Sequence, residues 1–71
     1  MKKPFIYNQP GMALRFQPCL ESGSVTYWNV SLLLNGQTEW DTILNFKAKS
    51  RYTRKVLIDA VLLHCSKRKE G

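Results

Sequence analysis

The chain has 71 residues and a formal net charge of +6 at pH 7, with 11 Lys and Arg residues against 5 Asp and Glu residues. This length allows one domain with a small core, whose stability is marginal unless a second copy or a bound partner supports it. No apolar run is long enough to span a membrane, and no apolar stretch near Met1 resembles a secretory signal. We therefore expect a cytoplasmic protein with no membrane partner.

The first part of the chain is predicted to be an arm. Residues 1–11 contain two prolines and a glycine, which predicts irregular structure ahead of a single domain over residues 12–71. We expect the apolar side chains of this arm, Phe5 among them, to cover the core. A second interpretation makes Lys2 and Lys3 a basic arm that contacts phosphates in a nucleic-acid groove.

Alternation of apolar and polar residues predicts three half-buried strands, over residues 12–20, 25–34 and 38–46. Turns are expected at residues 21–23 and at Asn35-Gly36. Pro18 cannot donate a ladder hydrogen bond, so we expect the first of these strands to lie at an edge. The side chains expected on the buried face are Leu14, Phe16, Trp28, Val30, Leu32, Trp40, Leu44 and Phe46.

Burial also predicts the register of the strands. A two-residue loop at Asn35-Gly36 would place Glu39 and Asp41 on the core face, whereas a three-residue loop keeps carboxylates off that face. The pairs expected from three-residue loops are Leu32 with Trp40, Val30 with Thr42, Trp28 with Leu44, Phe16 with Trp28 and Leu14 with Val30. The prediction is an antiparallel three-stranded meander.

A basic helix is predicted to follow the third strand. Ser50 is the expected N-cap, and no Pro or Gly interrupts the chain from there to Glu70. At 100° per residue, a broad apolar arc carries Tyr52, Val56, Leu57, Ala60, Val61 and Leu63. The opposite arc carries Arg51, Arg54, Lys55 and Asp59, and with them Ile58 and Leu62, which nothing in a monomer is expected to cover. With the apolar arc on the sheet, the predicted fold is α+β, in the order β-β-β-α.

Charge is concentrated at the C-terminal end of the chain. Residues 1–46 hold three basic and three acidic side chains, and residues 47–71 hold eight basic and two acidic ones. Such clustering indicates a polyanion such as nucleic acid, although a solvated helix face would look the same. The predicted nucleic-acid-binding residues are Lys47, Lys49, Arg51, Arg54, Lys55, Lys67, Arg68 and Lys69, with Arg15.

Catalysis is not indicated by any motif. His64 is the only histidine and is more typical of a packed, hydrogen-bonded residue than of a base. Cys19 and Cys65 are far apart, and with one His they give no zinc spacing, so we expect free or buried thiols. We expect no enzyme activity, no metal and no cofactor.

The segments YWNVSLLLNGQTEW and YTRKVLIDAVLLH resemble the AP2-like modules, which include the arm-binding N-terminal domains of phage-type integrases. The shared features are an aromatic-rich second strand, a Gly turn and a closing amphipathic helix. The resemblance implies that the open face of the sheet enters the major groove of DNA. The residues it would make base readers are Arg15, Gln17, Tyr27, Asn29 and Ser31. Glu39 and Asp41 are expected on the same face, where they would repel phosphates, and this favours the strand-to-helix junction as the binding surface.

The sequence therefore predicts a small basic nucleic-acid-binding protein, a regulatory or accessory factor of a phage or mobile element, with DNA as the expected target. The alternative is a small phage-type inhibitor or adaptor that binds an acidic host protein through its helix. In that interpretation Ile58 and Leu62 form the centre of the contact. The same two residues could instead join two copies in a homodimer, with Asp59 of each copy near basic groups of the other.

Overall fold

The fold is a four-stranded antiparallel sheet followed by one helix. The computed structural model describes the backbone of residues 2–70 and the side chains of residues 2–66. The elements in chain order are β1 (Phe5–Gln9), β2 (Met12–Ser22), β3 (Val25–Leu34), β4 (Asp41–Lys49) and α1 (Arg54–Glu70). The strands lie in the order β1-β2-β3-β4. The prediction of an α+β fold with a C-terminal helix is confirmed, whereas the prediction of three strands is wrong.

The additional strand, β1, comes from the segment that was expected to be an irregular arm. Phe5 pairs with Phe16 and is half-buried, whereas Ile6 points away from the core and is 53% exposed. Gly11, with a φ of 85°, closes the tight connection to β2. The prolines that suggested irregular structure flank β1, so its ladder is intact. The arm does cover the core, as expected, because the Phe5 and Phe16 rings stack at 4.6 Å.

Strand β2 is internal, so the expectation that it forms an edge is wrong. Its N-terminal half pairs with β1 only as far as Phe16. Pro18 lies beyond the end of β1, where β2 has no neighbour on that side. The missing N–H of Pro18 therefore costs no ladder hydrogen bond with β1.

The observed register differs from the expected one by two residues at Trp28 and Val30, and by one residue at Leu32, which pairs with Asp41 rather than Trp40. Trp28 pairs with Pro18 and Phe46, and Val30 pairs with Phe16 and Leu44. The β2–β3 ladder shifts between Pro18 and Leu20, and the β3–β4 ladder shifts opposite Val30 and Ser31. The turn between β2 and β3 lies at residues 23–24 rather than at the expected 21–23, and the connection between β3 and β4 covers residues 35–40. These differences and the two bulges together change the partners. Because the shift at Trp28 and Val30 is even, Leu44 and Phe46 still share the core face with Trp28, as predicted.

The core lies between α1 and one face of the sheet. Strands β2, β3 and β4 and the helix all contribute buried apolar side chains: Leu14, Phe16, Trp28, Val30, Ala48, Leu57 and Val61. The rings of Phe5, Phe16 and Trp28 meet within it, with Trp28 edge-on to both. This aromatic cluster links β1, β2 and β3 beneath the first turns of the helix.

The helix begins at Arg54, later than the predicted N-cap at Ser50. Strand β4 continues to Lys49, and the Ser50 hydroxyl instead shares a hydrogen bond of 2.8 Å with Thr26 Oγ1. The hydroxyl of Thr53 accepts from the Val56 main-chain N–H at 3.4 Å, which is the role of an N-cap. Thr53 therefore takes the position that sequence analysis gave to Ser50.

The helix is rotated relative to the predicted arc. Leu57 and Val61 are buried, and Ile58 and Leu62 are half-buried and pack against the core. The expectation that Ile58 and Leu62 are uncovered in a monomer is therefore wrong. Val56 and Leu63, predicted to be core residues, are 44% and 59% exposed. Apolar residues occur almost all around this helix, so periodicity alone did not single out the buried side.

Candidate nucleic-acid interface

We call the face of the sheet that lies away from α1 the open face. Residues directly opposite each other on antiparallel strands point to the same side of the sheet, so the strand register shows which side chains lie on the open face. Within the four described strands, the charged side chains at outward positions are all basic: Arg15, Lys47 and Lys49. The basic residues of β4 were predicted to lead into the helix, and the structure instead places them on the sheet.

The outward side chains form rows that run across β2, β3 and β4. The central row consists of three amides, Gln17, Asn29 and Asn45, on adjacent strands about 5 Å apart. On one side of it, Leu20, Tyr27 and Lys47 form the next row. On the other side lie Arg15, Ser31 and Thr42. The open face therefore carries a polar centre between basic groups.

The aromatic residues of the open face are Tyr27 and Trp40. Tyr27 is 41% exposed beside Lys47. Trp40 precedes β4, and its ring lies 4.8 Å from Arg15 Cζ. Since Arg15 points away from the buried Leu14 and Phe16, Trp40 lies on the open side of the sheet. The prediction that Trp40 shares the buried face with Trp28 is therefore wrong.

Two buried polar atoms near the Arg15–Trp40 contact have no hydrogen-bond partner among the described residues. They are Arg15 Nε and Asn29 Oδ1, one a donor and the other an acceptor. The neighbouring Ser31 is only 2% exposed, so this part of the open face is recessed. A buried polar atom without a partner costs about 1–3 kcal/mol, and a ligand that supplies the partner recovers it.

The acidic side chains of the strands do not lie on the open face. Asp41 pairs with Leu32 and Glu21 pairs with Thr26, and both of those partners face the helix side. Glu39 lies in the connection between β3 and β4. The expectation that Glu39 and Asp41 share the open face, and would repel phosphates there, is wrong, because the β4 bulge reverses the side to which Asp41 points.

The other predicted nucleic-acid-binding residues lie elsewhere. Arg51 is exposed in the turn before α1, and Lys55 is exposed on the helix. Arg54 lies on the helix side of the sheet, with Cζ 5.0 Å from the Phe5 ring centroid. The side chains of Lys67, Arg68 and Lys69 lie outside the described residues. The predicted binding residues that the structure describes thus divide between the open face and the start of α1.

Sites for chemistry are not apparent in the described part of the chain. No cluster of three His, Cys, Asp or Glu residues that could hold a metal ion occurs there. His64 is half-buried beside Leu44 and Phe46, Cys19 is an exposed free thiol, and Cys65 is a half-buried one. Among the described residues, no helix has the length and apolar character needed to cross a membrane.

No protein family, curated protein or solved structure matches this chain. Its function must therefore be argued from its own surface. The outward residues Arg15, Gln17, Tyr27, Asn29 and Ser31 are the candidate readers that the resemblance implies, and the register places them on the open face. Asn45 lies on the side opposite Leu44 and Phe46, as alternation predicted, but it was not named as a reader. The side of Trp40 was predicted wrongly, because it depends on the β4 bulge.

Proposed function

We propose that this protein binds nucleic acid, with the open face of its sheet as the contact surface. The observation that carries the proposal is the segregation of charge. The outward strand positions hold Arg15, Lys47 and Lys49 and no carboxylate, although the four strands contain Glu21 and Asp41. Basic side chains set on phosphates release counterions, which is the main source of sequence-independent affinity.

Each part of the open face has a role in this proposal. Lys47 and Lys49 are two residues apart on β4 and contact successive phosphates of one nucleic-acid strand. Tyr27, in the row of Lys47, offers an exposed ring on which a base or sugar can pack. Asn and Gln amides pair well with the edge of adenine, and the row of Gln17, Asn29 and Asn45 supplies such groups between the basic residues.

The resemblance to AP2-like and integrase arm-binding modules supports duplex DNA as the target, since those modules use an open sheet face. Of the two acidic residues that argued against this surface, Asp41 points to the helix side, and Glu39 lies outside the strands in the connection before β4. We accordingly assign the binding to the open face rather than to the strand-to-helix junction. A regulatory or accessory role on DNA is the function that suits a basic domain of this size.

Salt-dependent binding tests the proposal. We expect the parent protein to bind a random-sequence DNA duplex in fluorescence anisotropy at low salt. A Lys47→Ala, Lys49→Ala variant should bind DNA with a weaker salt dependence. The negative slope of log K against log salt should become shallower by about 2, since each phosphate contact contributes about 0.9. Lys55→Ala is the matched control, because Lys55 is exposed on the helix and lies away from the open face.

A protein-binding function is the second candidate, and a different surface favours it. Val56 and Leu63 lie on the solvent side of α1 and are 44% and 59% exposed, with Lys55 on the same element. They replace Ile58 and Leu62 as the residues that could meet an acidic protein. Absence of DNA binding by the parent protein at low salt would favour this candidate.

A further inference from the structure

A second basic surface lies on the helix side of the sheet, where α1 begins. A cavity of about 380 Å³ opens there between the start of the chain, β3 and the first turn of the helix. Its walls include three basic and three aromatic side chains: Lys2, Lys3, Arg54, Phe5, Trp28 and Tyr52. We call this cavity the N-terminal cleft. It is distinct from the open face, because Phe5 and Trp28 point to the core side of the sheet.

Arg54 is held in position by an aromatic stack. One side of the Phe5 ring lies 4.6 Å from Phe16, with 6° between the ring planes. The guanidinium of Arg54 lies 5.0 Å from the Phe5 ring centroid, yet the residue remains exposed. A guanidinium that stacks on an aromatic ring keeps its N–H groups free to donate in its own plane, and that planar fork suits phosphate oxygens.

The start of the chain is also tied to the rest of the fold beside this cleft. The Lys2 main-chain N–H donates to Glu21 Oε1 at 3.1 Å, and Lys2 and Lys3 line the cleft. No acidic residue occurs in the first turn of α1. The described residues that line the cleft include three cations and no carboxylate, and the Glu21 carboxylate beside the Lys2 main chain lies outside this lining.

The lining determines the class of ligand. A phosphate monoester carries a charge of about −1.5 to −2 at pH 7, so it matches several clustered cations better than the singly charged phosphodiester of an internal nucleotide. Tyr52, 37% exposed, offers a ring at the mouth of the cleft against which a planar base can pack. The volume is also near the lower end of the range for small-ligand sites, which begins at about 300 Å³.

We infer that the N-terminal cleft binds a nucleoside phosphate through a terminal phosphate monoester. The phosphate lies between Lys3 and Arg54, and the base lies against Tyr52. Two sources carry this chemistry, a free nucleotide and the phosphorylated end of a nucleic-acid strand. The inference does not depend on nucleic-acid binding by the open face, because the two surfaces lie on opposite sides of the sheet and share no residue.

Calorimetric titration of the 71-residue chain with AMP, adenosine and inorganic phosphate tests the inference. AMP should bind about tenfold or more tightly than either fragment, because it engages both the cations and the ring. Arg54→Gln and Lys3→Gln should each weaken AMP binding by about tenfold. A Lys47→Ala, Lys49→Ala variant, altered only on the open face, should bind AMP as the parent does. Circular dichroism of each variant confirms that it is folded.

Paired oligonucleotides with and without a 5′-phosphate separate the two sources. If the phosphorylated oligonucleotide binds more tightly and this difference depends on Arg54, the ligand of the cleft is the phosphorylated end of a nucleic-acid strand. If both oligonucleotides bind equally and AMP still binds, the ligand is a free nucleotide. Equal affinity for AMP and adenosine would overturn the inference. So would AMP binding that survives both cleft substitutions, or Arg54-dependent binding of a poly-glutamate peptide by a protein that does not bind AMP.

Discussion

Arg15 lies over the indole of Trp40, with its Cζ 4.8 Å from the ring centroid, on the side of the sheet opposite to Trp28. This contact joins β2 to the connection that precedes β4 across the intervening strand β3. It holds a guanidinium at one end of the open face, while Lys47 and Lys49 lie toward the other end. The positions of these three basic groups on one surface are the basis of the proposed function.

Replacement of Trp40 by Ala should weaken DNA binding even though Trp40 is uncharged. Without the ring, the half-buried Arg15 loses a cation–π interaction worth about 0.5–2 kcal/mol, and its orientation is no longer fixed. We expect a loss of affinity of about two- to thirtyfold, on the order of that energy. Trp40→Phe is the control that keeps an aromatic face, and it should retain most of the affinity. Anisotropy titrations of the two variants at the same salt concentration provide the comparison, and equal affinities for Trp40→Ala and the parent would contradict it.

Strand β1 should contribute to stability, although its sequence resembled an irregular arm. Phe5 stacks on Phe16 and packs against the core, so Phe5→Ala should lower the free energy of unfolding by about 2–4 kcal/mol. Ile6→Ala, one residue away and pointing outward, should change it by less than about 1 kcal/mol. Urea denaturation measures both. Similar effects of the two substitutions would mean that β1 is not paired as described.

The rotation of α1 can be checked with two aliphatic residues. Ile58 packs against the core and Leu63 is largely exposed. Ile58→Ala should therefore destabilise the fold by about 1–3 kcal/mol, whereas Leu63→Ala should stay within about 0.5 kcal/mol. The apolar arc predicted from sequence places Leu63 in the core and Ile58 outside it, so it requires Leu63→Ala to be the more destabilising substitution. Thermal or urea unfolding of the two variants decides which side of the helix faces the sheet.

Strand parity was predictable from sequence because alternation specifies which side chains share a face. Phe16, Trp28, Val30 and Phe46 lie together as expected, although Phe16, Trp28 and Val30 are each paired two residues away from the predicted partner. The bulges were not predictable, since an extra residue in a strand leaves no mark in a short alternating pattern. The β4 bulge has the largest consequence, because it alters which side Trp40 and Asp41 occupy.

The candidate site was predictable in composition but not in arrangement. The excess of basic residues from Lys47 onward was evident. The sequence did not show which of them end strand β4 and which begin helix α1. Their assignment to different sides of the sheet depends on strand β4 continuing to Lys49 before the chain turns. For the helix, apolar residues on nearly every side left the buried arc undetermined until Leu57 and Val61 were seen against the sheet.

Side-chain NMR of the protein during titration with a short DNA duplex tests the central claim most directly. The amide groups of Asn29 and Asn45 and the Nε–H of Arg15 lie on the open face and report contacts there without any substitution. We predict that these signals shift most, together with the ring of Tyr27, while the methyl groups of Val56 and Leu63 on the outer side of α1 change little. The largest changes at Val56 and Leu63, with the open-face signals unaffected, would contradict the account.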